Sequence, residues 1–188
     1  MVNVSSFTGN AMRTRYSSVQ ILLHWLVFVL VVLTYTTMDI KGCFAKGTPL
    51  RELLALTHYS LGFCVLFLMC IRLFVRGMYV TPPVKPALPR WQHYFSGGAQ
   101  ILIYLMFLSL PVMGILSQYY GGHDWTMFNI LMPKSVFPDL PLQKLLKTLH
   151  EWLANAGYYL IGLHTLAALW HHYRRRDNTL IRMLPSRK

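Results

Sequence analysis

Four stretches of this chain, at about residues 20–39, 52–75, 97–118 and 142–173, are apolar enough to enter a lipid bilayer. Each holds roughly 20 apolar positions, the length at which a helix crosses a hydrocarbon core of ~30 Å. No other feature constrains the fold as much. In lipid every backbone N–H and C=O needs a partner inside the protein, and an open strand would leave its own unpaired. The expected fold is therefore all-α, an integral membrane four-helix bundle. Asp139 followed by Pro141 reads as a helix start, so the fourth helix is expected to begin above the membrane. Pro111 and Gly114 predict a kink in the third. The segment TPPVKPALPR, 81–90, reads as a stiff connector between spans two and three. Residues 1–15 are polar and read as an N-terminal extension ahead of one domain over 16–185. No small-x-small cleavage site follows the first apolar run, so a cleaved leader is not expected.

The charges give direction. The net charge of +12 would suit a nucleic acid, but the basic residues lie in the gaps between apolar runs and form no basic face, which excludes nucleic acid as a partner. One side of the membrane collects Arg13, Arg15, Arg72, Arg76, Lys85, Arg90, Arg174, Arg175, Arg176, Arg182, Arg187 and Lys188, with Asp177 its only acid. The other side collects Lys41, Lys46, Arg51, Lys134, Lys144 and Lys147, with five acids. Basic residues accumulate on the cytoplasmic side, so both termini are expected there. The connectors are short, and chemistry must take place inside the bundle or at its mouths. Of the three cysteines, Cys64 and Cys70 lie within one apolar run and read as packing residues. No Cys-x-x-Cys-His is present for covalent haem attachment, and no paired-cysteine zinc pattern.

Against this apolar background the histidines stand out, since polar rings inside a membrane are costly and tend to be functional. His24 lies nine residues after Arg15, and His164 ten before Arg174, so both rings are expected at one level of the inner half. His58 follows Arg51 by seven residues and His150 follows Lys147 by three, which sets a second pair in the outer half. Within span four, 14 residues separate His150 from His164, a rise of ~21 Å that returns to within about 40° of the same face. Small residues accompany them, Ala154 and Gly157 on span four and Gly62 one turn below His58, leaving room for a flat, bulky group. Two imidazoles on facing helices with small neighbours are what a non-covalent haem b requires, and two such pairs predict two stacked haems. With both axial positions filled, electron transfer is favoured over oxygen binding. A bare metal ion would gather its ligands at one level with carboxylates or cysteines, and only Glu151 is near. Taken singly, each histidine also reads as an interhelical hydrogen bonder.

Several other residues carry two readings each. Arg72 lies 14 residues below His58, near the inner pair, as a haem-propionate partner or a snorkelling arginine. His171 extends the ligand stripe one heptad inward, as a proton donor to a quinone or an interfacial polar residue. Lys144 and Lys147, with Lys134 from the long outer loop, crown the outer end of span four, steering small anions inward or merely flanking the span. His93 and His123 fall in connectors and read as exposed. The five tryptophans, Trp25, Trp91, Trp125, Trp152 and Trp170, read as an interfacial belt.

The segments YSSVQILLHW at 16–25, YVTPP at 79–83, LHEWLANAGYYLIGLHTLAALWHH at 149–172 and DNTLIRMLP at 177–185 resemble the bacterial cytochrome b561 family, di-haem b proteins of the inner membrane. The resemblance covers about residues 15–185 and is most specific in the C-terminal half. It implies that His24 and His164 hold a cytoplasmic-side haem iron, and His58 and His150 a periplasmic-side one. A member of that family oxidises superoxide at the periplasmic face and passes the electrons to ubiquinone, with protons taken from the cytoplasm. By that resemblance Lys144 and Lys147 would steer superoxide, and a quinone near His171 would accept the electrons. Two other functions stay open at this point. One is an electron-relay subunit docked to a partner dehydrogenase through residues 118–141; the other is a small transporter with histidine proton relays.

Overall fold

The computed structural model describes residues 14–185; most of the expected polar extension lies outside them, as do Arg13, Arg187 and Lys188. Four long helices dominate: α1 (Ser18–Gly42), α2 (Pro49–Met78), α3 (Arg90–Tyr120) and α4 (Leu140–Trp170). Local chemistry sets their starts. The Ser17 hydroxyl accepts from the Gln20 N–H at 3.3 Å and the Gln20 side chain accepts from the Ser17 N–H at 3.1 Å, a reciprocal cap on α1. The Asp139 carboxylate caps α4 by accepting from the Leu142 N–H at 2.9 Å, a contact of the kind that contributes ~1 kcal/mol, and Pro141 occupies the first turn as the sequence suggests. Pro111 sits inside α3, which runs unbroken across it.

The helices pack as two hairpins, α1 chiefly against α2 and α3 chiefly against α4, with α2 and α3 joining them. The core is small. Val27 and Val31 meet Val65 and Met69 of α2 and Met106, Phe107 and Leu110 of α3, while Leu153, Leu160 and Ile161 of α4 pack on this cluster from one side. Elsewhere the apolar side chains face outward: Leu22, Phe74, Leu105 and Leu163 are each more than 60% exposed. A bundle whose solvent is lipid has no reason to hide them. Three helices, α1 to α3, are long and apolar enough to cross a membrane. The fourth is as long as α3, but His150, Asn155, Tyr158, Tyr159 and His164 dilute its apolar character. The helix richest in chemistry is thus the one of the four that falls short of that measure.

Two departures from the sequence reading matter for the site. The outer loop between α3 and α4 is not featureless: Thr126–Met127 pairs antiparallel with Ile130–Leu131. Phe128 and Asn129 turn the hairpin with φ of 52° and 61°, the left-handed values such a tight turn needs. It folds onto α2, where the Phe128 N–H donates to Ser60 Oγ at 3.0 Å. At the other end, the regular part of α4 stops at Trp170, short of the expected 173. A π-helical turn, His171–Arg175, follows it. Arg176 then reverses the chain in the left-handed conformation, φ 55°, and the Asp177 N–H closes the end on the His171 carbonyl at 3.2 Å.

Candidate functional site

The four intramembrane histidines meet in the pairs that depth predicts. The His58 and His150 ring centroids lie 6.2 Å apart, and those of His24 and His164 lie 6.5 Å apart. An imidazole nitrogen stands ~2 Å from a first-row metal ion it ligates and about 1 Å from its own ring centre, so two rings on opposite sides of one ion have centroids roughly 6 Å apart. Both pairs satisfy that spacing. Among the described residues no three His, Cys, Asp or Glu side chains converge as a bare-metal site would need.

The outer pair is held by backbone. The His58 Nδ1–H donates to the Thr34 carbonyl at 3.1 Å, and the His150 Nδ1–H to the Leu110 carbonyl at 2.8 Å. A carbonyl only accepts, so both rings carry their proton on Nδ1 and keep the Nε2 lone pair for a metal. A cavity of about 320 Å³ opens between them, lined by Gly62, Phe107, Pro111, Gly114 and Trp125 among others. That volume lies in the range of cofactor pockets. A Cβ at Gly62 would meet nothing within 4 Å, and one at Gly114 would press on the His150 ring at 3.4 Å. These two glycines do clear space beside the rings, and the donor set, its tautomers and the cavity all fit a haem with two axial imidazoles.

Gly157 has a different task from the one the stripe suggests. A Cβ at Gly157 would collide with the Tyr35 hydroxyl. That hydroxyl crosses from α1 to donate to the Ala154 carbonyl at 2.9 Å. Tyr35 packs edge-on against Tyr158 at 4.6 Å, and Tyr158 donates to Asp39 at 2.8 Å. Gly157 therefore admits a tyrosine bridge between α1 and α4, while Ala154 lines the outer cavity.

The inner pair fits less simply. Arg72 Nη2 donates to His24 Nδ1 at 2.9 Å. A guanidinium only donates, so in this contact His24 holds its proton on Nε2, the nitrogen the outer rings leave free. The spacing suits an iron; the tautomer suits it once Arg72 turns elsewhere. Arg72 and Arg76 both lie over the Tyr104 ring, at 5.5 and 5.6 Å, and line a small pocket with Gln20 and Gln100. Neither arginine pairs with an acid among the described residues.

The lysines at the outer mouth are less free than the sequence suggests. Lys147 lies 4.0 Å from Glu151, and Lys134 pairs with Asp124 at 2.7 Å, which holds the Asp124 carboxyl below its usual range. Lys144 is exposed. Lys41, counted from sequence only as a topology charge, lies in the electrostatic reach of His58, Lys147 and Glu151. Its place at the end of α1, level with the start of α4, was the available signal. Trp125 corrects the belt reading: it is 5% exposed, faces Tyr59 at 6.3 Å, donates to the Pro133 carbonyl at 3.1 Å and lines the outer cavity. Trp25 donates to the Met183 carbonyl at 2.8 Å, whereas Trp91 and Trp152 are exposed as a belt requires. His171 meets Asp177 at 2.5 Å beneath the inner pair, and His123 bonds Gln118 at 3.0 Å in the outer loop.

Comparison with known proteins gives the family. The family described as prokaryotic cytochrome b561 matches residues 15–186. Cytochrome b561 homolog 1 of Escherichia coli strain K12 is 40% identical over 174 residues, 93% of this chain and 99% of that one. A protein named probable superoxide oxidase CybB, from Yersinia pestis, is 38% identical over 180 residues, covering 94% and 99%. Cytochrome b562 of Cereibacter sphaeroides is 28% identical over 176 residues, covering 92% and 96%. The chain belongs to the prokaryotic cytochrome b561 family, haem-b-binding electron-transfer proteins that cross the bacterial inner membrane several times.

Proposed function

We propose that the chain is a di-haem b oxidoreductase that takes electrons from superoxide at the periplasmic face and gives them to a quinone at the cytoplasmic end. The observation that carries this reading is the pair of opposed imidazole couples, at 6.2 and 6.5 Å, on two levels of one bundle. His58 and His150 would hold the outer haem, His24 and His164 the inner one. When bound, the haems would supply a one-electron relay from one face to the other. The charge distribution supports both termini on the cytoplasmic side, and the relative named a probable superoxide oxidase supports the choice of donor.

The balance of the reaction assigns work to the chain's own residues. Two superoxide ions lose one electron each and leave as dioxygen; one quinone gains two electrons and two protons and leaves as quinol. Lys144, Lys147 and Lys41 set a positive potential at the outer mouth, raising the encounter rate of a small anion. Arg72 supplies a fixed cation for an inner haem propionate, which also draws it away from His24 Nδ1. His171 passes cytoplasmic protons to the quinone. The test is a haem count on purified protein, followed by mixing with superoxide and a ubiquinone analogue. Two haems per chain and one quinol per two superoxide ions are expected. A colourless preparation, or a red one that forms no quinol, overturns the reading.

One observation favours a second reading, the relay subunit. The outer loop exposes Ile130, Leu131, Val136 and Phe137, at 64%, 66%, 84% and 86%, an apolar surface a partner dehydrogenase would cover. A stoichiometric partner that copurifies and reduces the haems faster than superoxide would select it.

A further inference from the structure

The cytoplasmic end of the bundle holds a buried acid with no part in the scheme above. Asp177 is 2% exposed. Its Oδ2 accepts from His171 Nδ1 at 2.5 Å and its Oδ1 from the Thr179 N–H at 2.9 Å, with Arg175 Nε 3.8 Å away. Burial alone would raise the carboxyl's pKa, but the hydrogen bonds from His171 and Thr179 outweigh it and leave it below the usual range. An ionised carboxylate only accepts, so the His171 proton sits on Nδ1 and its Nε2 can take up a proton and release it. His171 follows His164 by seven residues, close to the same face and ~10 Å further in.

The couple is anchored by the segment that carries the acid. Beyond the π-helical turn, the Asn178 N–H donates to the Lys85 carbonyl at 3.1 Å, and the Lys85 N–H donates to Asn178 Oδ1 at 2.8 Å. Arg182, buried, donates to the Pro82 carbonyl, Arg175 donates to Gln92, and the Tyr16 N–H donates to the Arg182 carbonyl at 3.3 Å. Trp25, the neighbour of His24, reaches Met183. The tail thus clasps the starts of α1 and α3 and the α2–α3 connector, and holds the carboxylate under the inner pair.

We propose that Asp177 is the positioning residue for proton delivery at the quinone end, fixing the tautomer and orientation in which His171 relays cytoplasmic protons. It rests on the quinone-reducing reading above. Electrons arrive from the donor; the two protons that complete the quinol come from the cytoplasm through His171. The test is Asp177→Asn in the full-length, haem-loaded protein in liposomes. Haem content and the rate of haem reduction by superoxide are expected to stay as in the wild type. Quinol formation is expected to fall about tenfold, less than the ~10²–10⁴ a positioned proton donor contributes, because His171 itself remains. The solvent deuterium isotope effect on quinol formation is expected to rise, and nitrogen NMR of histidine-labelled protein to show His171 losing its single Nδ1–H tautomer. Asp177→Glu should recover much of the rate. Asn178→Ala weakens the clasp without touching the couple and should keep wild-type quinol formation; if it matches Asp177→Asn, the acid only holds the tail and the proposal falls. Should Asp177→Asn shed its haem, His171→Gln must show the same quinol loss with haem retained. An unchanged rate and isotope effect in either variant overturns the role of Asp177, whereas a wild type that forms no quinol overturns the functional reading and this role with it.

Discussion

The two histidine pairs share their spacing and differ in what holds them. At the outer pair, two main-chain carbonyls, from Thr34 and Leu110, fix both Nδ1 protons. Gly62 and Gly114 keep space open beside the rings, and Trp125 from the outer loop lines the same cavity. At the inner pair the partner of His24 is a side chain, Arg72, which can only donate. Backbone carbonyls of packed helices cannot leave; an arginine with several rotatable bonds can. On the proposed ligand assignment the outer site is therefore pre-organised, and the inner one would become so if Arg72 turned to an anion. The difference teaches that matched ligand geometry does not imply matched readiness. With haems bound as proposed, it would also give direction, because backbone carbonyls would raise the basicity of the outer ligands while a cation stands beside the inner ones.

The harshest way to break the comparison is to remove the ligands. His58→Ala or His150→Ala is expected to lose the outer haem and halve the haem content, leaving the inner spectrum in place. His24→Ala or His164→Ala should do the converse. Haem-to-protein ratio and the reduced absorbance spectrum read this directly, and any of the four variants with full haem content would remove that residue from the site. In a titration of haem-free protein, the outer site should fill first.

Glycine substitutions separate space for a ring from space for Tyr35. Gly62→Leu fills the outer cavity and should reduce outer haem occupancy several-fold without affecting the inner haem. Gly157→Ala meets Tyr35, so it should lower the melting temperature by several degrees, as overpacking of ~1–3 kcal/mol does, with both haems bound. Equal haem loss in both variants would mean that Gly157 also lines a cofactor.

These glycines mark the limit of what could be read without coordinates. The four spans, the helix start at Asp139 and the pairing of the histidines follow from the lengths of apolar runs, a local cap and each ring's distance from the nearest flanking charge, all legible within a few turns of chain. The purpose of Gly157 depends on Tyr35, more than a hundred residues earlier in the chain, and helical spacing carries no information about which residue fills a gap. Trp125 is similar: its neighbourhood in sequence is a loop, and contacts with α2, Phe128 to Ser60 and Trp125 to Tyr59, bring it over the cavity. The couple of His171 with Asp177 was hidden by a local break in period, because the π-helical turn and the left-handed Arg176 bring the acid back beneath the ring.

Arg72→Gln sharpens the inner half of the comparison. It removes a cation near the inner iron, and losing a cation favours the oxidised form. The inner haem potential is expected to fall by roughly 60 mV, the one-electron equivalent of a tenfold shift, with the outer potential nearly constant. Redox titration with separate fitting of the two haems decides it. A shift confined to the outer haem would move Arg72 to the wrong end of the molecule.

The smallest effect is expected at the outer mouth, where charge acts at a distance through water. Lys144 and Lys147 are both solvated, and Glu151 already offsets Lys147. Changing both to Gln should slow reduction by superoxide only about two- to three-fold at low salt, and less at physiological salt, where the Debye length is ~8 Å. Lys41→Gln should cost at least as much, because that amine lies within reach of His58 itself. The two variants differ in what screening can do. An amine at the exposed rim loses its influence as salt rises, whereas one partly shielded by the α1–α2 turn keeps more of it. Stopped-flow rates across a salt series therefore rank the three lysines, and a Lys41→Gln rate equal to wild type at low salt would return steering to the rim of α4 alone.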